Sequence, residues 1–150
     1  MVAIADTPGP LIATTRMFTS KPNFAGEIDV QSTKEWLAGL GDPENISITL
    51  ETPGKFGKGV MAISSMWDSY GVLRATLVCE GYRHHRIPPQ RWQKAMMPSC
   101  KKGETKSAAL ARAKQLWPRE TWLASAASRV PHDGIVDAAL IAEYSRIKKM

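Results

Sequence analysis

Apolar residues follow two patterns along the chain: short runs bounded by turn residues, and longer stretches with helical spacing. The short runs predict five strands, at residues 2–5, 11–18, 24–30, 46–51 and 82–87. The fourth run alternates apolar with polar residues and ends in an acid, Glu51. Pro8-Gly9 and Pro22-Asn23 supply the turns that separate the first three strands.

The longer stretches predict five helices, at residues 32–40, 60–79, 89–96, 104–117 and 132–149. Ser32, with Glu35 three residues later, is typical of a capping box that begins the first helix. The second helix is apolar on more than one side, which is typical of a helix that contacts both the core and a partner. The order of strands and helices predicts an α/β fold with a mixed sheet, and the lack of internal repeats predicts one domain over residues 1–150.

The composition is that of an ordinary globular protein. The chain has 150 residues, of which 43% are hydrophobic, and this is enough for one domain with a hydrophobic core. No apolar run reaches the roughly 18 residues of a membrane span, and the N-terminus lacks the basic region of a signal peptide. Cys79 and Cys100 are too few for a disulfide framework. We therefore expect a cytoplasmic protein without a membrane partner.

The formal charge of +6 is unevenly distributed. Residues 1–54 carry three Lys and Arg against seven Asp and Glu, whereas residues 55–150 carry seventeen against seven. The basic residues are densest between Arg83 and Arg119, where Glu104 is the single acid. This asymmetry is consistent with a polyanionic partner such as a nucleic acid, and equally with a solvated basic surface.

Four acids stand at the ends of predicted elements. Asp6 follows the first strand, Glu51 ends the fourth, and Asp133 and Asp137 begin the last helix on the same stripe as its apolar residues. Side chains from separate elements converge at such positions in α/β folds. Carboxylate oxygens are the ligands that Mg²⁺ prefers, and a two-metal site for phosphodiester chemistry needs about four of them.

Three of these acids also have a purely structural explanation. Asp6 fits a turn before Pro8, Glu51 fits the end of a strand, and Asp133 fits a helix N-cap after Pro131. Asp137 is harder to explain in this way, because a carboxylate on an apolar stripe is costly to bury without a partner.

Other kinds of site have little support in the sequence. The spacing of the two cysteines and of His84 and His85 matches no familiar structural zinc site. The glycine- and lysine-rich loop at residues 54–59 lacks the spacing of a P-loop, so no nucleotide cofactor is expected.

Taken in order, the motifs resemble the RuvC-type Holliday junction resolvases, particularly their bacteriophage relatives. The most specific segments are Ile-Pro-Pro-Gln-Arg-Trp at 87–92, Lys106 within Thr-Lys-Ser-Ala-Ala-Leu, and Asp-Gly-Ile-Val-Asp-Ala-Ala-Leu-Ile-Ala at 133–142. Two departures stand out. Thr7 separates Asp6 from Pro8 where the family usually has Asp-Pro-Gly, and the last aspartates are spaced i, i+4 rather than i, i+3.

The resemblance implies a ribonuclease H-like fold, with a five-stranded mixed sheet flanked by helices, and a homodimer that cuts four-way DNA junctions in recombination and repair. It implies cleavage with Mg²⁺ or Mn²⁺, two ions per site, to give 5′-phosphate and 3′-hydroxyl ends. It assigns the metal ligands to Asp6, Glu51, Asp133 and Asp137. A non-catalytic junction-binding protein and another ribonuclease H-like nuclease remain as alternatives.

The resemblance also gives roles to basic residues. Lys106 would neutralise a phosphate near the metals. Phosphate contacts with the junction arms are expected from further cations, namely Lys55, Lys58, Arg83, Arg86, Arg91, Lys94, Lys101 and Lys102. Phe56 would stack on an unpaired base or pack within its own loop.

Overall fold

The computed structural model describes residues 2–4, 11–14, 28–54, 59–101 and 103–150, with the backbone alone for the first two ranges. The chain divides into two compact units. The terminal unit comprises Met1–Arg16 and Gln90–Met150, and the central unit comprises Met17–Pro89. No helix in the described ranges is long and apolar enough to cross a membrane.

The central unit combines helices with a parallel pair of strands. Helix α1 spans Val30–Ala38, a 3₁₀ turn spans Pro43–Asn45, and strand β3 spans Ser47–Glu51. Helix α2 spans Val60–Cys79 and strand β4 spans Arg83–Ile87. Strands β3 and β4 run parallel, with Glu51 opposite Ile87, and α2 packs against both α1 and β4.

The core of the central unit forms where these elements meet. Leu37 of α1, Leu77 of α2 and Ile87 of β4 are almost fully buried. Helix α2 buries Leu73 and Leu77 on one side, and its other side keeps apolar residues exposed. Helix α2 therefore has a wide exposed apolar surface, as the sequence predicted.

The start of helix α1 differs from the prediction. Asp29, not Ser32, is the N-cap, and its carboxylate accepts hydrogen bonds from both the Ser32 backbone N–H and the Ser32 hydroxyl. The predicted strand at residues 24–30 is accordingly wrong at its end, because Val30 already lies in the helix. Residues 24–27 of that strand lie outside the described residues.

The terminal unit is built around its last helix. Strands β1, Val2–Ile4, and β2, Leu11–Thr14, are antiparallel, and α3, α4 and α5 span Pro89–Met96, Thr105–Leu116 and Asp133–Lys148. Helix α5 packs against β1, β2 and α4 and is buried on most sides. Trp92 of α3 is fully buried and anchors this helix in the core.

These elements confirm the α/β class but not the five-stranded sheet. Within the described ranges the strands form two two-stranded sheets, one antiparallel and one parallel. The single domain over residues 1–150 stays a prediction.

Candidate functional site

The first two turns of helix α5 carry the two aspartates predicted from the sequence. His132 is the N-cap and Asp133 is the first helical residue, so Asp133 is not the cap. Asp133 and Asp137 share a stripe with Leu140 and Tyr144. Along that stripe the side chains pass from exposed at Asp133, through half-buried at Asp137, to fully buried at Leu140. The carboxylates therefore lie where the helix emerges from the core.

Lys106 of helix α4 contacts Asp133 directly. Its Nζ lies 2.5 Å from Oδ2 of Asp133, and the two side chains are 83% and 53% exposed. The hydrogen bond from the ammonium to the Asp133 carboxylate raises the pKa of Lys106, and the negative charge of Asp137 raises it further. Lys106 therefore lies in the electrostatic field of both carboxylates. The packing of α4 against α5 makes this contact possible.

A segment that the sequence left unassigned holds the start of α5. The Trp122 carbonyl accepts a 2.7 Å hydrogen bond from the His132 backbone N–H, and Leu123 pairs with Pro131. The Trp122 ring is buried against Trp117, with ring centroids 5.8 Å apart. Trp122 has a φ of 59°, in the left-handed region that a bulky residue rarely adopts. The two tryptophans shortly before the acidic helix are the sequence signal from which a buried segment at this place could have been predicted.

The acid in the middle of α5 is neutralised within the helix. Glu143 is buried and accepts two 2.7 Å hydrogen bonds from the Arg146 guanidinium, at its Nε and Nη2. These hydrogen bonds raise the pKa of Arg146. Glu143 is thus held by its own helix, whereas the Asp133 carboxylate is held by a cation from another helix.

Glu51 lies in the central unit, at the carboxyl end of β3. It is half-buried and opposite Ile87. The next residue, Thr52, extends the ladder, since its N–H and its hydroxyl both donate to the Ile87 carbonyl, at 2.9 and 3.3 Å. The backbone at the end of β3, next to Glu51, is therefore held against β4. Asp6 lies outside the described residues.

The predicted DNA-contacting residues fall into three groups. Arg86, Arg91, Lys94 and Lys101 are exposed. Arg83 is also exposed, but its Nη2 donates a 2.6 Å hydrogen bond to the Glu44 carbonyl and so braces the 3₁₀ turn. The remaining predicted residues lie outside the described residues, namely Lys55, Phe56, Lys58 and Lys102.

Arg74 is a basic residue that the sequence interpretation missed. Its guanidinium lies 5.8 Å from the centre of the Tyr70 ring, and its Nε donates to Nε2 of His84 at 3.5 Å. Arg74 therefore adds positive charge beside strand β4. The i, i+4 spacing of Tyr70 and Arg74 on α2 was the available signal.

The donor chemistry at the start of α5 suits a hard divalent cation. Its two carboxylates supply oxygen ligands, and that of Asp133 already binds a cationic group, the Lys106 ammonium. In the described part of the chain, no group of three or more His, Cys, Asp or Glu side chains is arranged to hold a metal ion.

Comparison with solved structures identifies a similar fold. The Thermus thermophilus RuvC structure matches this chain with a TM-score of 0.64, over 99% of this chain and 87% of that one, at 13% sequence identity. The chain thus has a RuvC-like fold, and the bacteriophage branch stays a prediction. No protein-family model matches the chain, and no curated protein matches it in sequence.

Proposed function

We propose that this protein is a structure-selective endodeoxyribonuclease that resolves four-way DNA junctions by metal-dependent hydrolysis. The observation that supports this most is the start of α5, where the Lys106 amine pairs with the Asp133 carboxylate and feels the charge of Asp137, in a chain with a RuvC-like fold. Such an enzyme would have a complete five-stranded ribonuclease H-like sheet. Its products would carry 5′-phosphate and 3′-hydroxyl ends.

In this proposal four carboxylates hold two Mg²⁺ or Mn²⁺ ions. Asp133 and Asp137 of α5, Glu51 at the end of β3, and Asp6 would supply the oxygen ligands. When bound, such ions would supply Lewis-acid chemistry toward the phosphodiester and would activate a water for attack. Asp137, which is half-buried on a packed helix, is well suited to fix the position of its carboxylate.

Lys106 has a separate role in this mechanism. It lies beside the carboxylates with its side chain largely exposed, so a substrate phosphate has access to its ammonium. An ammonium near the reacting phosphate offsets negative charge that builds up in the transition state. Lys106 thereby acts on the substrate rather than as a ligand.

Exposed cations on both units would hold the DNA arms. Arg91, Lys94 and Lys101 belong to the terminal unit and Arg86 to the central unit, and all four are exposed. Lys55, Lys58, Arg83 and Lys102 complete the proposed set, with Phe56 at the branch point. Such contacts are electrostatic and therefore weaken as salt increases.

Helix α2 supports a homodimer. Its exposed large apolar residues lie away from buried Leu73 and Leu77, and they are Val60, Met61, Trp67, Val72 and Val78. Several large apolar residues exposed on one helix are typical of a protein interface. A two-fold dimer would present two sites to symmetry-related strands of a junction.

The decisive assay compares a labelled four-way junction with a linear duplex of the same sequence, in Mg²⁺ and in EDTA. We expect paired cuts near the branch point, in Mg²⁺ only. Junction binding without cuts in Mg²⁺ and Mn²⁺ would identify a binding protein instead. Preferential cleavage of the RNA strand in an RNA–DNA hybrid would identify a different nuclease of the same fold.

A further inference from the structure

The ion pair between Lys106 and Asp133 places a cation on a proposed metal ligand. The Lys106 Nζ lies 2.5 Å from Asp133 Oδ2, and the ammonium is also close enough to Asp137 to interact with its charge. A divalent cation at these carboxylates would therefore meet a site that already has a counter-ion.

We propose that Lys106 is a resting-state counter-ion of the α5 carboxylates, and that a divalent cation must displace it in order to bind Asp133. This inference rests on the proposed function, because it takes Asp133 as a metal ligand. Displacement releases the ammonium from Asp133 at the place where a substrate phosphate would bind. Cation binding and the availability of Lys106 are then coupled.

The geometry makes such an exchange feasible. The Lys106 side chain is 83% exposed, so its flexible chain can swing away without disturbing the packed interface between α4 and α5. Exposed ion pairs are weak, and water readily replaces the partner. The ammonium therefore offsets the charge of one of the two carboxylates at rest without blocking it permanently.

Amine labelling of the wild-type protein tests the displacement directly. The protein is treated with a limiting amount of an N-hydroxysuccinimide ester, with and without Mg²⁺, and mass spectrometry measures acylation at each lysine. We expect Mg²⁺ to raise the labelling rate of Lys106 about two- to fivefold, the range set by an exposed ion pair. Lys114, exposed on the same helix, serves as the internal reference and should not respond.

The Asp133→Asn variant is the matched control for labelling. It removes the anionic partner, so Lys106 should label faster without Mg²⁺ and lose its response to Mg²⁺. Labelling of Lys106 that is insensitive to Mg²⁺ in the wild type would overturn the displacement.

Metal affinity gives a second, independent measurement. We expect Lys106→Gln to bind Mn²⁺ about two- to fivefold more tightly than the wild type, as measured from the electron paramagnetic resonance of free Mn²⁺, whereas Lys114→Gln should be unchanged. Equal affinities for Lys106→Gln and Lys114→Gln would overturn this inference, while junction cleavage by the wild type would leave the proposed function standing. No Mn²⁺ binding by wild type or Lys106→Gln would overturn both.

Discussion

Asp133 and Asp137 have different surroundings, although a single helical turn separates them. Asp133 is exposed and paired with Lys106, whereas Asp137 is half-buried on the stripe that leads to Leu140. A half-buried carboxylate on a packed helix has fewer conformations to choose from than an exposed one. Asp137 is therefore the better-fixed candidate ligand, and Asp133 is the more adaptable one.

This difference leads to a prediction for the two amide variants. We expect Asp137→Asn and Asp133→Asn to retain junction binding and to lose cleavage. Loss of groups that merely orient a metal ligand costs about 10–100-fold, so removal of a ligand should cost more than about 100-fold. Cleavage rates and gel-shift affinities measure the two effects separately. Glu104→Gln, an exposed acid at the start of α4, is the control, and cleavage retained in Asp137→Asn would remove it from the ligand set.

Asp29 provides a prediction about pH and stability. Hydrogen bonds from the Ser32 backbone and hydroxyl hold the pKa of Asp29 below its usual value of 3.8. A lowered pKa in the folded state means that the ionised cap stabilises α1 above pH 3.8, and that this contribution is lost as pH falls through the folded pKa. Asp29→Ala should therefore lower the melting temperature by a few degrees at pH 7, and the difference from wild type should shrink below pH 4.

The Asp29→Asn variant tests the capping hydrogen bond without the negative charge. The amide oxygen still accepts the Ser32 N–H, but the side chain no longer titrates. Thermal melts of this variant from pH 7 to pH 3 should show a melting temperature close to that of the wild type at pH 7. If the melting temperatures of Asp29→Ala and wild type differ equally at pH 7 and at pH 3, ionisation of Asp29 plays no part in capping.

At the scale of elements, α5 joins the core to the site. Leu140 is fully buried between the aspartates and Tyr144, whereas Ile147 near the end of the same helix is 52% exposed. We expect Leu140→Ala to destabilise the protein by about 2–5 kcal/mol, and Ile147→Ala by less than about 0.5 kcal/mol. Urea unfolding measures both values. Comparable losses of unfolding free energy in the two variants would mean that Leu140 is not buried in the core.

Element bounds were predictable from sequence where local signals were strong. Helices α2 and α3 have their predicted bounds. Gly81, with a φ of 78°, follows the end of α2, and Pro89 begins α3. The start of α1 was missed because Asp29 and Ser32 are both good N-cap residues, and local sequence does not decide between them.

The segment before α5 was not predictable for a different reason. Trp122 adopts a left-handed backbone conformation that its own preferences disfavour, and its burial against Trp117 offsets that cost. Its hydrogen bond to His132 is therefore a product of tertiary packing. The same holds for the contact between Lys106 and Asp133: the sequence marked both residues but not their pairing.

For the whole molecule, the uneven charge leads to a prediction about salt. Removing one cation that binds a DNA phosphate should reduce the slope of log binding constant against log salt by about 0.9. We expect Arg91→Gln and Lys94→Gln each to produce this change, with little change in fold, because both side chains are exposed on α3. Lys148→Gln, exposed at the far end of α5, is the control. Equal slopes for all variants would exclude Arg91 and Lys94 from the residues that bind DNA.

The exposed side of α2 leads to a prediction about assembly. Val72 is 41% exposed, so a glutamate there fits the folded chain but would place a charge in the proposed two-fold interface. We expect Val72→Glu to weaken dimerisation at least about tenfold, so that light scattering gives a mass nearer the 16.5 kDa of one chain. Val130→Glu, 74% exposed and outside α2, should leave the mass unchanged.

A plasmid that extrudes a cruciform allows the effects of dimerisation and of cleavage to be measured in one assay. Two coordinated cuts across a junction give linear DNA, whereas a single cut gives a nicked circle. A dimer that presents two sites should give mainly linear product, and Val72→Glu should shift the product toward nicked circles while each cut remains metal-dependent. Linear product from a variant that light scattering shows to be monomeric would separate paired cutting from dimerisation through α2.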